Sequence, residues 1–164
     1  MRWASAFAGV VVALLFGAPA VTQACSCIRP DAARIFREAD SIVIARVKAV
    51  HYQSAWIGEA RVLGDIEVLD TLKTTTGAAI KRVWTAPETP ACGLPLKAGL
   101  VYLLVPGGPD GDHVDHCRSW PLGGGAERAA VTKALVALRD ERERARAIRA
   151  KAAAASAPTS TPPR

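Results

Sequence analysis

Two long segments in the middle of the chain alternate between apolar and polar residues. Residues 41–52 (SIVIARVKAVHY) place apolar side chains at every second position, with Arg46 and Lys48 on the opposite face. Residues 60–73 (ARVLGDIEVLDTLK) repeat this alternation, and Gly64 marks an expected bend or bulge. Because successive side chains of a strand point to opposite faces, both segments are predicted to be half-buried β-strands.

Three shorter apolar segments predict further strands at residues 79–85, 100–105 and about 112–117. They are separated by the turn-rich sequences TAPETPACG and PGGPDGD. Ahead of the first strand, Asp31 suits the N-cap of a short helix that ends near Ala39. Together these elements predict a mainly β fold, in which a short helix is followed by a five-stranded meander or barrel.

The sequence after residues 123–125, three consecutive glycines, is rich in strong helix formers. Residues 126–150 are predicted to form a C-terminal helix, and its apolar stripe, which includes Leu135, is expected to pack on the β domain. Beyond Asp140 the stripe thins and opposite charges lie four residues apart, which predicts a solvated helix. The tail, residues 151–164, is predicted to be disordered.

The first 24 residues have the pattern of a secretory signal peptide: an early arginine, an apolar run and a string of small residues. Cleavage fits after Ala20 or after Ala24, and the second cut leaves Cys25 as the first residue. A lipid anchor on Cys25 is a further alternative, ranked behind the soluble form because the residues before Ala24 fit the lipidation consensus poorly. The mature protein is therefore expected to be secreted, either periplasmic or extracellular.

Length and charge restrict the classes of function. The 164 residues, 50% of them hydrophobic, suffice for one domain with a buried core and short extensions. The net charge of +6 is uneven, since residues 126–164 carry nine basic and four acidic side chains and residues 25–125 carry eleven of each. A basic nucleic-acid-binding face on the β domain is not indicated. No apolar run reaches the roughly 20 residues of a membrane span, so no transmembrane segment is predicted.

Four cysteines, Cys25, Cys27, Cys92 and Cys117, all follow the predicted signal peptide. An even number in an exported chain favours two disulfides. Zinc ligation is the weaker interpretation, because four-cysteine sites normally use two close pairs, each with two to four residues between its members. A bond between Cys25 and Cys27 would close a strained ring, which leaves two pairings open. Either pairing ties the N-terminus to distant parts of the sequence. Each disulfide would stabilise the fold by on the order of 4 kcal/mol in the chain-entropy model.

The densest polar cluster, GPDGDHVDHC, offers Asp110, Asp112, His113, Asp115 and His116 as metal ligands. On a strand the two histidines would face opposite sides and could not share an ion. We therefore predict no metal site there. The sequence also contains none of the familiar nucleophile, phosphate-loop or zinc-hydrolase motifs, so neither an enzyme nor a cofactor is predicted.

The Cys-Ser-Cys start, the following short helix, SIVIARV, VWTAPETPACG and the last cysteine in HCRSWPL form a recognisable set. Over residues 25–122 they resemble the inhibitory domain of the tissue inhibitors of metalloproteinases (TIMPs), which belong to the netrin-like modules. The resemblance implies a five-stranded OB-type barrel as the domain of residues 25–125. It also implies disulfides that join Cys25 with Cys92 and Cys27 with Cys117.

For function, the resemblance implies inhibition of a zinc metalloendopeptidase. The free α-amino group and the carbonyl oxygen of Cys25 would chelate the protease's zinc, and Ser26 would point into the specificity pocket. The chain departs from the family at Arg29, where a proline is usual, and it lacks the family's third disulfide. These departures favour an alternative, a non-inhibitory netrin-like binding module of the cell envelope or extracellular space, with or without a lipid on Cys25.

Overall fold

The computed structural model describes residues 27, 31–54, 60–75, 77, 79–87, 92–108 and 110–156. These residues form a mainly β fold of two helices and five strands. In chain order the elements are α1 (Ala32–Glu38), β1 (Ser41–Gln53), β2 (Arg61–Thr74), β3 (Arg82–Thr85), β4 (Val101–Leu104), β5 (Trp120–Pro121) and α2 (Ala126–Ala155). The prediction of a mainly β chain with one helix at each end is confirmed.

The five strands form one antiparallel sheet in the order β3-β2-β1-β4-β5. Its longest ladder joins β1 to β2, and the register of that ladder shifts at three points along β1. Such shifts bend and twist a sheet, so the five strands curve around the residues on their inner face. Among the described strands, pairing does not close the sheet into a barrel.

The inner face of the sheet holds the first of two hydrophobic clusters. Val43, Ala45 and Val47 alternate with the exposed Arg46 and Lys48, as the sequence predicts. The inner cluster also receives residues of β2, β3 and β4 and is covered by the segments on either side of β4: Ile66, Val83, Leu94, Leu96, Tyr102, Leu104 and Val114. This cluster is the core against which the segments on either side of β4 are packed.

The outer face is covered at one end by both helices. Ile35 of α1 and Leu135 of α2 pack against β-sheet residues that include Ile42, Leu103 and Trp120. The Trp120 indole N–H also donates to the Thr132 hydroxyl at 3.2 Å. The apolar stripe of α2 therefore docks on the sheet through the first half of the helix.

Gly64 lies at a close approach of another side chain and not at a β-bulge. It pairs in register with Val50 and Val83, and the nearby register shift lies at Val47 to Ala49. A Cβ atom at this position would come within 2.9 Å of the Leu96 Cδ1 atom. The glycine thus lets the segment after β3 lie directly on the sheet.

The predicted strand at residues 112–117 is the main difference from the sequence analysis. His113 and Asp115 form isolated bridges, and the fifth strand of the sheet is Trp120–Pro121. The physical reason is the Asp115 carboxylate, which accepts hydrogen bonds from the backbone N–H groups of Cys117 and Arg118. These bonds turn the chain back and end its extended conformation.

The C-terminal helix is longer than predicted and continues through Ala155, whereas the sequence analysis ends it at residue 150. The added residues are Lys151 and four alanines, which have high helix propensity and need no tertiary contact to extend an existing helix. Residues 157–164 of the predicted disordered tail lie outside the described residues. None of the helices in the described part of the chain has the length and hydropathy needed to cross a membrane.

Candidate functional site

A disulfide joins Cys27 to Cys117, with an S–S distance of 2.03 Å and a sequence separation of 90. It attaches the start of the described chain to the segment just before β5, and Cys27 is exposed. This is the pairing that the family resemblance implies for Cys27. The predicted zinc-chelating residue Cys25 and the predicted pocket residue Ser26 both lie outside the described residues.

Cys92 is also disulfide-bonded, and its predicted pairing with Cys25 stays a prediction because Cys25 is not described. Its backbone φ of 61° lies in the left-handed region, which is unfavourable for a residue with a Cβ atom. The next residue, Gly93, forms an antiparallel bridge with Asp115, and the Cys92 carbonyl accepts a hydrogen bond from the His116 N–H at 3.1 Å. The unfavourable conformation is thus held by contacts of Cys92 itself and of the residue that follows it.

Residues 115–118 form a turn that is fixed by one carboxylate. Asp115 Oδ1 accepts from the Cys117 N–H at 2.9 Å and the Arg118 N–H at 3.0 Å, while Oδ2 accepts from the Arg118 guanidinium at 3.0 and 3.1 Å. We call Cys27, Cys92, Gly93 and residues 115–118 the disulfide corner. Its segments come from three distant parts of the sequence and are connected by covalent and hydrogen bonds.

Sequence reasoning named His116 only as a member of the polar cluster and missed its contact with Cys27. Its Nε2 atom lies 3.2 Å from Cys27 Sγ. The donor atoms of Cys27, His116 and Cys117 all lie within 4.8 Å of one another, although the two sulfurs are bonded to each other here. The strand geometry assumed for this segment gave His116 no partner, whereas the turn at Asp115 directs it to the disulfide. The one available sequence signal is a histidine directly before a cysteine.

The other histidine of the polar cluster lies in different surroundings. The His113 ring packs on the Trp84 indole with 4.3 Å between ring centroids, and the Arg61 guanidinium lies 4.1 Å from a Trp84 ring centroid. His113 also bonds through its backbone to Gly107 in both directions. The residues of the predicted cluster are therefore divided between the Trp84 region and the disulfide corner.

A charged group on the outer face ties the first three strands together. Asp65 on β2 accepts from Arg82 on β3 at 2.6 Å and contacts His51 Nε2 on β1 at 3.0 Å. The hydrogen bond from Arg82, followed by that from His51, lowers the pKa of the Asp65 carboxyl. Because Arg82 and His51 are more than half exposed, solvent screens these charges and the contribution to stability is small.

The second half of α2 is the most strongly charged surface among the described residues. Its last part, residues 144–156, is exposed throughout and carries four basic residues with no acidic ones: Arg144, Arg146, Arg149 and Lys151. We call this part the distal segment. Its excess of positive charge accounts for much of the net charge of the whole chain.

No protein-family model matches the chain, and the search of curated proteins returns no significant match. The function is therefore inferred from the residues and from the geometry of the disulfide corner.

Proposed function

We propose that the protein is a secreted, TIMP-like inhibitor of zinc metalloendopeptidases that acts through the N-terminal edge beginning at Cys25. The observation that carries the proposal is the bond between Cys27 and Cys117. It fixes the chain two residues after Cys25, on a turn that Asp115 holds in place. The disulfide at Cys92 adds a second covalent attachment in the same corner.

The chemistry of inhibition requires no catalytic group in this chain. The α-amine and the carbonyl oxygen of Cys25 form a five-membered chelate ring with a zinc ion that keeps an open coordination position. An α-amine has a pKa of about 8, so it loses its proton readily beside the metal. The chelating atoms displace the water that the protease would activate, and Ser26 enters the adjoining pocket.

The corner supports this mechanism because a rigid binding edge loses little conformational entropy when it binds. Two disulfide-bonded segments, the bridge between Gly93 and Asp115 and the hydrogen bond from His116 to Cys92 restrict the chain that carries the edge. A loosely attached terminus of the same sequence would bind more weakly.

The OB-type barrel is part of the same proposal, and the isolated bridges support it. Trp84 of β3 forms a parallel bridge with His113, and His113 forms an antiparallel bridge with Gly107, which follows β4. The Trp84 N–H donates to the Asp112 carbonyl at 2.9 Å, and the Val114 N–H donates to the Trp84 carbonyl at 2.8 Å. The chain at residues 112–114 thus spans the gap between β3 and the end of β4, where an OB-type barrel closes.

The test compares mature protein that starts at Cys25 with the same protein carrying one extra N-terminal alanine. The extension converts the Cys25 nitrogen to an amide, which is a poor zinc ligand, and leaves the disulfides unchanged. Against a panel of zinc endopeptidases, we expect the first form to inhibit and the second to be at least about a hundredfold weaker. Equal melting temperatures would show that both forms are folded. Equal inhibition by the two forms would contradict chelation.

The distal segment favours a second candidate, a non-inhibitory netrin-like module that binds anionic molecules of the cell envelope or extracellular space. Four exposed cations in a segment that contains no acidic residue suit long-range attraction to such surfaces. The test is binding to anionic vesicles at low and high salt, with a variant ending at Glu143 as the matched control. Salt-sensitive binding that is lost in the shortened variant, together with no inhibition across the panel, would favour this function. The intact mass of the exported protein shows whether Cys25 carries a lipid.

A further inference from the structure

The two ring nitrogens of His116 have different surroundings. Nε2 faces the Cys27 sulfur at 3.2 Å, whereas Nδ1 is buried and has no hydrogen-bond partner among the described residues. A proton on Nδ1 would leave a buried N–H donor without an acceptor, which is more costly than an unpaired acceptor nitrogen. The ring proton of His116 is therefore assigned to Nε2, and this N–H points to the sulfur of Cys27.

This assignment decides between two uses of the cluster of Cys27, His116 and Cys117. As a metal ligand, Nε2 would need a free electron pair, which moves the proton to the buried Nδ1. Histidines that bind metals normally donate their second N–H to a carboxylate or carbonyl, and Nδ1 has neither among the described residues. A donor at Nε2 instead suits a negative charge that develops on the Cys27 sulfur.

We propose that the Cys27 to Cys117 disulfide is a thiol–disulfide exchange site whose substrates are dithiol reductants. A thiolate of the dithiol attacks Cys117 Sγ and forms a mixed disulfide, the S–S bond to Cys27 breaks, and its electron pair leaves on Cys27 Sγ. The His116 N–H hydrogen-bonds this leaving thiolate. The second thiol of the reductant then displaces Cys117 as a thiolate, so the reductant ends as a disulfide, two electrons pass to the protein and water protonates the sulfurs.

Three features of the corner support exchange at this bond. Cys27 is exposed and Cys117 is partly exposed, so a thiol can approach the pair. A hydrogen bond from Nε2 stabilises the leaving thiolate and thereby accelerates its departure. The turn held by Asp115 fixes the backbone of Cys117 next to His116. The exchange does not depend on protease inhibition, and its test contains no protease.

The experiment treats the oxidised mature protein with dithiothreitol and follows each disulfide by timed alkylation and mass spectrometry. We expect the Cys27 to Cys117 bond to open before the disulfide at Cys92. His116→Ala should slow its opening about tenfold, and His116→Gln, whose amide can donate from a similar position, should restore most of the rate. His51→Ala removes an exposed imidazole outside the disulfide corner and should leave the rate of disulfide opening unchanged. Equal rates in wild type and His116→Ala, with equal melting temperatures, would overturn the proposal.

A trapping experiment tests the direction of attack. Glutathione, which has one thiol, should leave its mixed disulfide on Cys117 and a free thiol on Cys27. A mixed disulfide on Cys27 would contradict the role given to His116. Addition of Co²⁺ to the reduced protein is expected to give no thiolate-to-metal absorption band that depends on His116. Such a band would show that the cluster is a metal site and would overturn the tautomer assignment.

Discussion

The disulfide corner and the distal segment of α2 are built in opposite ways. In the corner, residues from three distant parts of the sequence are joined by a disulfide, a backbone bridge and the hydrogen bonds of Asp115. The distal segment is exposed throughout, and its terminal Ser156 hydroxyl donates to the Ala152 carbonyl of its own helix. A function that needs atoms at fixed positions suits the corner, whereas attraction between charges tolerates a helix without tertiary contacts.

The change from one mode of attachment to the other occurs within α2. Leu135 is fully buried against the sheet, and Arg139 donates to Asp70 of β2 at 2.6 Å. Hydrogen bonds to Asp140 and Asp70 raise the pKa of Arg139, so it stays charged. After Arg142, every described residue of the helix is exposed. The predictions below test whether stability follows this division.

The largest effect is expected in the corner, for the double change Cys27→Ser with Cys117→Ser. The disulfide spans 90 residues, and loss of a cross-link of that span lowers the free energy of unfolding by about 4 kcal/mol in the chain-entropy model. Guanidinium denaturation monitored by circular dichroism measures the change. Arg149→Ala in the distal segment is the control and should leave stability unchanged within about 0.5 kcal/mol. A loss below about 1 kcal/mol in the double variant would show that the corner is held mainly by its hydrogen bonds.

The next effect separates the two halves of α2 by the same kind of truncation. Leu135→Ala removes a buried side chain and should reduce the free energy of unfolding by about 3 kcal/mol. Ile148→Ala, at a position 70% exposed on the same helix, should cost less than about 0.5 kcal/mol. Thermal and denaturant unfolding of both variants provide the comparison. Similar losses for the two variants would mean that the second half of the helix also packs against the protein.

Local patterns explain why much of the fold could be predicted from the sequence. The alternation around Val43 and Val47 identifies β1 without knowledge of its neighbours, because it depends only on whether each side chain is apolar and buried or polar and exposed. The cap of α1 is equally local, since the Ala33 N–H donates to Asp31 Oδ1 two residues away at 3.0 Å. Such features depend on residues that are close in sequence.

The candidate site could be predicted only in part because its geometry depends on distant residues. Asp115 turns a segment that reads as a strand, and this turn decides that His116 meets Cys27, 89 residues away. The role of Gly64 likewise depends on a distant residue, because the side chain of Leu96, in the segment after β3, lies against it. The spacing of the cysteines predicted disulfides, but it gave no information on these contacts between distant residues.

A smaller effect on stability is expected at Tyr102, which holds the segment that follows Cys92. Its hydroxyl donates to the Pro95 carbonyl and accepts from the Lys97 N–H, both at 2.9 Å. Tyr102→Phe leaves both groups without this partner and should reduce stability by about 2 kcal/mol. Tyr52→Phe, at a position 67% exposed, is the matched control and should have no effect. Denaturant unfolding measures both variants.

The same side chain predicts a dependence on alkaline pH. Burial raises the pKa of Tyr102, against a smaller lowering by the hydrogen bond from Lys97. The folded protein therefore holds the phenol proton more tightly than the unfolded chain. Its contribution to stability is complete below about pH 10, the ordinary pKa of tyrosine, and declines as the pH rises above that value. Unfolding measured from pH 8 to 11 should show this decline in the wild type, and Tyr102→Phe should flatten it.

The smallest effect is expected for truncation after Ala150, which removes the end of the distal segment and the tail. Residues 151–156 are exposed, and the hydrogen bonds described for their end lie within α2 itself. Their loss shortens a helix whose docking depends on Leu135 and Arg139, so the melting temperature should change by less than about 1 °C. A chain ending at Ala134 is the control, because it also removes Leu135 and should be several kcal/mol less stable. A large loss from the shorter cut would show that the helix end docks on the protein, and the contrast with the disulfide corner would then be wrong.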